Sequence, residues 1–202
     1  MGVCYIVGAG VFSGMPKPKR EDIVIAADGG YDSLISHGIT PNLLIGDCDS
    51  VNEVPKGVRL LRFPVEKDDT DSFLAYREGR RLGFDRFEIY GGTGGREDHT
   101  LANLSLLLFA AREGAVARLH GERNVSCVIY NDSLTLSLTR DKHISVFAFG
   151  GEARGVTISG AYYEAKDITL TPEFPLGASN LSTGRDVTVS VCEGALLIMT
   201  EI

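Results

Sequence analysis

Two charged clusters in this chain have the make-up of a site that handles phosphate. The first is acidic: Glu66, Asp68, Asp69 and Asp71 crowd around Lys67 and Thr70. The second follows a run of glycines, Gly91-Gly92-Thr93-Gly94-Gly95, and consists of Arg96, Asp98 and His99. Glycines ahead of a helix N-terminus leave free N–H groups and the positive end of the helix dipole facing an anion. Arg96 would add a bidentate donor beside them. Asp98 would sit in the first helical turn, where a carboxylate is stabilising for its own sake. His99 is open to three readings: a polar contact, a base, or a helix-surface residue.

Other acids recur at strand ends. Asp28 precedes Gly29-Gly30, and Asp47 and Asp49 stand two apart after Gly46. Carboxylates at i and i+2 of an extended segment point the same way and repel. A hard cation such as Mg2+, which takes one or two carboxylates plus substrate phosphates, would hold them together. A polar turn with an Asx cap is the alternative, and the acid at the end of the preceding strand favours the metal. Asp28 taken alone reads more readily as a helix cap. Lys67 either balances surface charge or touches a phosphate. There is no P-loop pattern GxxxxGK[ST], and the glycine run is not the GxGxxG fingerprint.

These residues need elements to bring them together. Val3–Val7 reads as a buried strand ending in Gly8-Ala9-Gly10, either a plain tight turn or a close backbone approach to a nucleotide. Asp22–Ala27, Asn42–Ile45, Val58–Phe63 and Arg86–Tyr90 read as further strands. Helices are expected over Tyr31–His37, stopped by Gly38; after Asp69 or Thr70, stopped by Gly83; and over Arg96–Ala111. The second helix would bury a stripe of Phe73, Leu74 and Leu82 beside a basic face with Arg77 and Arg81. The third would bury Leu101, Leu104, Leu108 and Ala111. Alternating strands and helices predict an open, mainly parallel, Rossmann-like sheet, with both charged clusters at the ligand edge of such a sheet.

After Gly114 the style changes. From Ala115 onward eight short, β-branched segments alternate with turn residues such as Asn131-Asp132 and Gly150-Gly151, the pattern of a sandwich or barrel. The expected organisation is therefore an α/β domain over 1–122 and an all-β sandwich domain over 123–202.

Bulk properties narrow the classes. A chain of 202 residues with 44% hydrophobic content can form two small cores. A net charge of −7 argues against nucleic-acid binding through a basic face, yet a cation can still bring in a nucleotide. No apolar run approaches the roughly 18 residues of a membrane span, and the N-terminus lacks the basic region of a signal peptide. Cys4, Cys48, Cys127 and Cys192 are widely spaced and form no CxxC pair; they read as buried thiols of a cytoplasmic protein, not as a disulfide frame or zinc site.

Taken together, DGG at Asp28, GDCDS ending at Ser50, EKDDTD over Glu66–Asp71 and GGTGGREDH over Gly91–His99 resemble the thiamine pyrophosphokinases of bacterial type. GVTISGAYY ending at Tyr163, GASN ending at Asn180 and CEGALLIM ending at Met199 extend the resemblance over nearly the whole length. It implies an α/β nucleotide-binding domain followed by a β-sandwich, working as a homodimer with active sites between subunits. It implies transfer of a pyrophosphoryl group from ATP to the hydroxyl of thiamine. By motif, Asp47, Asp49 and Asp71 would coordinate Mg2+. Asp28, Lys67, Asp68 and Thr70 would line the phosphate and substrate region, and Arg96 and Asp98 the nucleotide side. Ser179 and Asn180 would contact thiamine, and Asp71 or Asp68 would accept the hydroxyl proton. The chain departs from the family in having no tryptophan to stack on thiamine, and in placing Cys48 where an aromatic or aliphatic residue is usual. The rivals are a Mg2+-dependent kinase for another alcohol, and a thiamine- or nucleotide-binding sensor without turnover.

Overall fold

The computed structural model describes residues 2–46, 57–63 and 69–202. The chain forms two compact units, Met1–Leu106 with Gly114–Glu122, and Leu107–Glu113 with Arg123–Ile202.

The first unit is built on strands β1 (Cys4–Val7), β2 (Ile23–Ala27), β3 (Leu43–Gly46), β4 (Arg59–Arg62), β5 (Arg86–Tyr90) and β6 (Val116–His120). They pair in the order β6-β5-β1-β2-β3-β4, parallel throughout. β1 and β3 are buried at every position, as parallel strands covered on both faces must be. The chain lays β2, β3 and β4 on one side of β1, then puts β5 and β6 on the other. The order therefore reverses between β1 and β5, and a crevice opens there at the carboxyl ends of the strands.

Helices α1 (Gly30–Ser36), α2 (Asp71–Arg81) and α3 (Glu97–Arg112) complete the connections. α2 starts where its sequence provides a cap. Thr70 has extended backbone, and its Oγ1 accepts from Phe73 N at 3.3 Å, which satisfies one of the orphan donors. Asp69 pairs instead with Arg77, at 3.3 Å. The helix is followed by Gly83 in left-handed backbone, φ 90°. Its buried face is Ala75, Tyr76 and Gly79, not the expected stripe of Phe73, Leu74 and Leu82. The cause is close packing: a Cβ on Gly79 would come within 2.6 Å of Phe87 Cε1 and 2.9 Å of Cys4 Sγ. Only small residues fit at that contact, and a hydrophobic pattern marks large ones.

α3 also presents a different face from the one expected. Asn103, Leu106, Leu107 and Ala110 are buried, whereas Leu101 is 60% exposed. The stretch LLLFAA is apolar nearly all round, so its periodicity does not fix the phase. No helix among the described residues is long and apolar enough to cross a membrane.

The second unit is antiparallel β. It contains β7 (Asn124–Tyr130), β8 (Ser133–Ser137), β9 (His143–Ala148), β10 (Ala153–Ser159), β11 (Ala165–Leu170), β12 (Asn180–Leu181), β13 (Asp186–Ser190) and β14 (Ala195–Glu201). One set pairs as β12-β9-β14-β7 and the other as β11-β10-β13-β8. Ile144, Val146, Leu196 and Ile198 from the first set share a core with Val156, Ile158, Val187 and Val189 from the second, the arrangement of a sandwich. The segment Val116–His120, which its composition groups with these strands, is β6 of the parallel set. Its alternating burial makes it look like a half-exposed antiparallel strand. The two-residue β12 has no counterpart in the expected pattern, and of the described cysteines Cys4 is buried as expected, Cys127 is half-buried, and Cys192 is exposed because it falls in the turn between β13 and β14.

Candidate active site

The reversal between β1 and β5 brings two glycine turns edge to edge. The turn after β1 and the turn after β5 are stitched by Gly8 N to Tyr90 O at 2.9 Å, Gly10 N to Gly91 O at 2.7 Å and Val11 N to Thr93 O at 2.8 Å. Side chains are excluded from this seam. A Cβ on Gly91 would lie 2.3 Å from Gly8 O, and one on Gly10 would lie 2.3 Å from Thr93 O. Gly91 also has φ 60°, in the left-handed region where glycine is favoured. The GxG after the first strand is thus a close approach of one turn to another.

Above the seam lies a cleft of about 390 Å³, lined on one side by Gly8–Gly10 and Asp28, on another by Thr70–Ser72, and on the third by the β5–α3 turn with Arg96, His99 and Asn103. Asp28 directly follows β2 in left-handed backbone, φ 46°, which aspartate tolerates better than most residues. Its N–H donates to Ile45 O at 2.8 Å and its carbonyl accepts from Tyr31 N at 3.1 Å, so its backbone is pinned on both sides. The N-cap of α1 is Gly29, with no side-chain cap; Asp28 faces the cleft instead of capping. Thr70 and Asp71 enter at the first turn of α2, and Ser72 accompanies them.

Arg96 is 73% exposed and forms a two-bonded pair with Asp98, Nε to Oδ1 at 3.1 Å and Nη2 to Oδ2 at 2.6 Å. Asp98 Oδ1 also accepts from His99 N at 3.0 Å, so the acid steadies the first turn of α3 as well. The bond from Arg96 holds the Asp98 carboxyl below its ordinary range, with the backbone bond from His99 adding to it. The guanidinium is in turn held more firmly protonated. This pair is exposed, so its strength is largely screened. The arginine can exchange its carboxylate for a phosphate oxygen at small cost.

Of the residues singled out in the sequence, Asp28, Thr70, Asp71 and Arg96 line one cleft, and Asp98 adjoins it through Arg96. Asp47, Asp49, Lys67 and Asp68 lie outside the described residues. Ser179 and Asn180 belong to the second unit. Ser179 is exposed, has φ 57°, and its N–H donates to Ser145 Oγ at 3.1 Å. Asn180 is buried and engaged with the backbone of Tyr163. Its Oδ1 accepts from Tyr163 N at 2.9 Å and from Leu181 N at 2.9 Å, and its Nδ2 donates to Tyr163 O at 2.7 Å. The rings of Tyr162 and Tyr163, both exposed, meet edge to face at 4.9 Å.

Sequence reasoning missed Ser72 and Asn103 as cleft residues. The signal for Asn103 was a single amide inside the apolar run LANLSLLL. Among the described residues no group of three or more His, Cys, Asp or Glu is placed to hold a metal ion.

Comparison with known proteins agrees over both units. Residues 18–117 match the family model of the thiamin pyrophosphokinase catalytic domain, and residues 133–196 match that of the thiamin pyrophosphokinase vitamin B1 binding domain. The chain is 29% identical over 205 residues to thiamine pyrophosphokinase of Bacillus subtilis, covering 94% of this chain and 96% of that protein. Its structure is similar to the crystal structure of the Bacillus subtilis enzyme, with a TM-score of 0.87 at 26% identity over 98% of each chain. It shares its fold with thiamin pyrophosphokinase from Geobacillus thermodenitrificans, with a TM-score of 0.84 at 23% identity over 99% of this chain and 97% of that one.

Proposed function

The chain belongs to the thiamine pyrophosphokinase family, and on that premise we propose how its residues divide the work. The protein is a transferase that converts thiamine to thiamine diphosphate. ATP donates the pyrophosphoryl group and AMP is the second product. The observation that carries the site assignment is the pair of stitched glycine turns leading into α3. Free N–H groups of the Gly91–Gly95 turn and the first turn of α3 receive phosphate oxygens, and Arg96 leaves Asp98 to join them. Asp28 and Thr70 border the phosphate and substrate region. Asp98 serves the nucleotide side by holding Arg96 beside the cleft until phosphate replaces it.

The donor set suits Mg2+. Asp71 borders the cleft, and Asp47 and Asp49 supply further carboxylate oxygens, the hard ligands that this ion takes. Bound by these three, it would neutralise charge on the triphosphate. The thiamine hydroxyl oxygen forms a bond to the β-phosphorus. The bond from that phosphorus to the oxygen bridging the α-phosphorus breaks, and AMP leaves with the bonding electrons. The hydroxyl proton passes to Asp68 in preference to Asp71, because a carboxylate on a cation has a lowered pKa and is a weak base. Lys67 meets charge on the migrating group. Such chemistry is mostly positioning and electrostatics, so no covalent nucleophile is needed.

In the second domain, over 123–202, the Ser179 hydroxyl contacts thiamine. Asn180 acts by shaping the turn that carries Tyr162 and Tyr163, the rings available to thiamine in a chain without tryptophan. The sheet of the first domain, over 1–122, serves as a Rossmann-like nucleotide platform. A homodimer completes each site with the second domain of the other copy, and the cytoplasm is the proposed setting. The test is AMP release from ATP and Mg2+ with and without thiamine. AMP that appears only with thiamine, together with thiamine diphosphate, is the expected result. A folded protein that binds ATP and gives no thiamine-dependent AMP would overturn the acceptor.

A further inference from the structure

Three consecutive carbonyls of the β5–α3 turn are tied down. Gly91 O accepts from Gly10 N at 2.7 Å and Thr93 O from Val11 N at 2.8 Å, both from the opposite glycine turn. The middle carbonyl, Gly92 O, is held by α3. It accepts from Asn103 Nδ2, at 2.9 Å, across from the second turn of α3. A carbonyl can only accept, so this bond also fixes which way the amide of Asn103 points. Asn103 is 5% exposed, lies in an apolar stretch and borders the cleft. A Cβ on Gly92 would lie 2.9 Å from Asn103 Nδ2 and 2.6 Å from Leu119 Cδ1, so the turn packs closely against both side chains here.

The Gly92–Thr93 peptide is the weak point of an anion site. Glycine accepts many backbone conformations with little steric penalty, so this peptide can rotate its carbonyl into the cleft. An oxygen there would repel a phosphate where an N–H should greet it. We propose that Asn103 is a positioning residue of the transfer reaction: it holds the Gly92 carbonyl back, so that the turn presents donors to the triphosphate. The inference rests on reading this cleft as the ATP site.

The test uses Asn103→Leu and Asn103→Asp in the full chain. Binding of ATP with Mg2+ is measured by calorimetry without thiamine, and folding by thermal melting of the same samples. Leucine has similar size and no donor. Losing the bond should raise Kd about ten- to a hundred-fold, because only the correctly turned fraction binds. In Asn103→Asp, the new carboxyl can donate to Gly92 O only when protonated. Burial and that bond both raise its pKa, so the Kd of this variant should approach the wild-type value near about pH 5 and depart from it as pH rises to about pH 8. The ratio of Asn103→Leu to wild type should stay flat across the same range.

A ratio for Asn103→Asp that does not change with pH overturns the proposal, as does wild-type affinity in Asn103→Leu. Should Asn103→Leu fail to fold, Asn103→Ala is measured in its place, since it removes the donor without adding a charge that would itself repel phosphate, and wild-type affinity there overturns the proposal. Wild-type protein that binds no ATP would remove the reading of the cleft, and this inference with it. Wild-type binding with indifferent variants would remove the inference alone.

Discussion

Replacing Gly91 by alanine should damage both folding and nucleotide binding, and replacing Gly95 should spare folding. At Gly91 the backbone is left-handed, φ 60°, which costs a Cβ-bearing residue about 1 kcal/mol or more. The new Cβ would lie 2.3 Å from Gly8 O and 3.0 Å from Gly8 C. Both neighbours are backbone, so no side chain can swing aside. The two turns must separate, straining the bonds from Gly8 N and Gly10 N, each worth about 1 kcal/mol net. The total is roughly 3 kcal/mol, a fall in Tm of about 6–12 °C for a chain of this size. Gly95 has no left-handed φ, and a Cβ there would meet Gly10 Cα at 3.7 Å, an ordinary contact. Gly95→Ala should therefore stay within about 0.5 kcal/mol of wild type. Thermal melting of the two variants side by side, followed by titration with ATP and Mg2+, reads both consequences. Gly91→Ala melting with wild type, or Gly95→Ala losing as much stability, would refute the account of the seam.

Arg96→Ala should leave Tm nearly unchanged, since the exposed pair with Asp98 adds little stability, while KM for ATP rises at least about ten-fold, as loss of a charge-assisted contact implies; steady-state kinetics and melting separate the two, and an unaltered KM would remove Arg96 from the phosphate site. Ser179→Ala should raise KM for thiamine with KM for ATP unchanged, whereas Asn180→Ala, which severs two hydrogen bonds to Tyr163 and one to Leu181, should lower Tm; equal melting of the two variants would contradict the structural role of Asn180. The Tyr90 phenol is pushed up to about 12 by burial, then by the charges of Glu88 and Tyr5. Its contribution to stability is intact below about pH 10, its unfolded value, and is lost as pH rises toward 12, because the unfolded chain then releases the proton first. Denaturant unfolding at intervals through that window should show a smaller alkaline loss in Tyr90→Phe, and an identical loss would disprove the burial argument.

Much of this was legible because local chemistry coincided with the final contact. Thr70 carries a cap hydroxyl just before an acid and an amphipathic run, and it is the cap. Gly38 and Gly83 follow their helices in left-handed backbone. The run Gly91–Gly95 leads directly into α3. What could not be read depends on partners distant in sequence. Gly79 faces Phe87 and Cys4, and nothing in the composition of α2 announces that its smallest residue is its point of contact. Leu101 is exposed and Asn103 buried, a phase that an almost uniformly apolar helix does not encode. β6 alternates in burial like an antiparallel strand, and only its partner β5 makes it parallel. In the cleft, the charged residues announced themselves. Asn103 did not, because its role is to bond a backbone oxygen eleven residues away.

The seam between the two glycine turns also bears on what can be borrowed from this protein. The turn Gly91–Gly95 holds its shape because a segment more than eighty residues earlier in the chain donates hydrogen bonds to it. A peptide of this turn and α3, or the same stretch grafted after a strand of another fold, would carry the motif and lack the partner that gives it form. Contacts so distant in sequence form only once the intervening loop entropy has been overcome. Phosphate recognition should therefore emerge late in refolding, when the central strands have docked, and it should be absent from any fragment that omits the first ten residues.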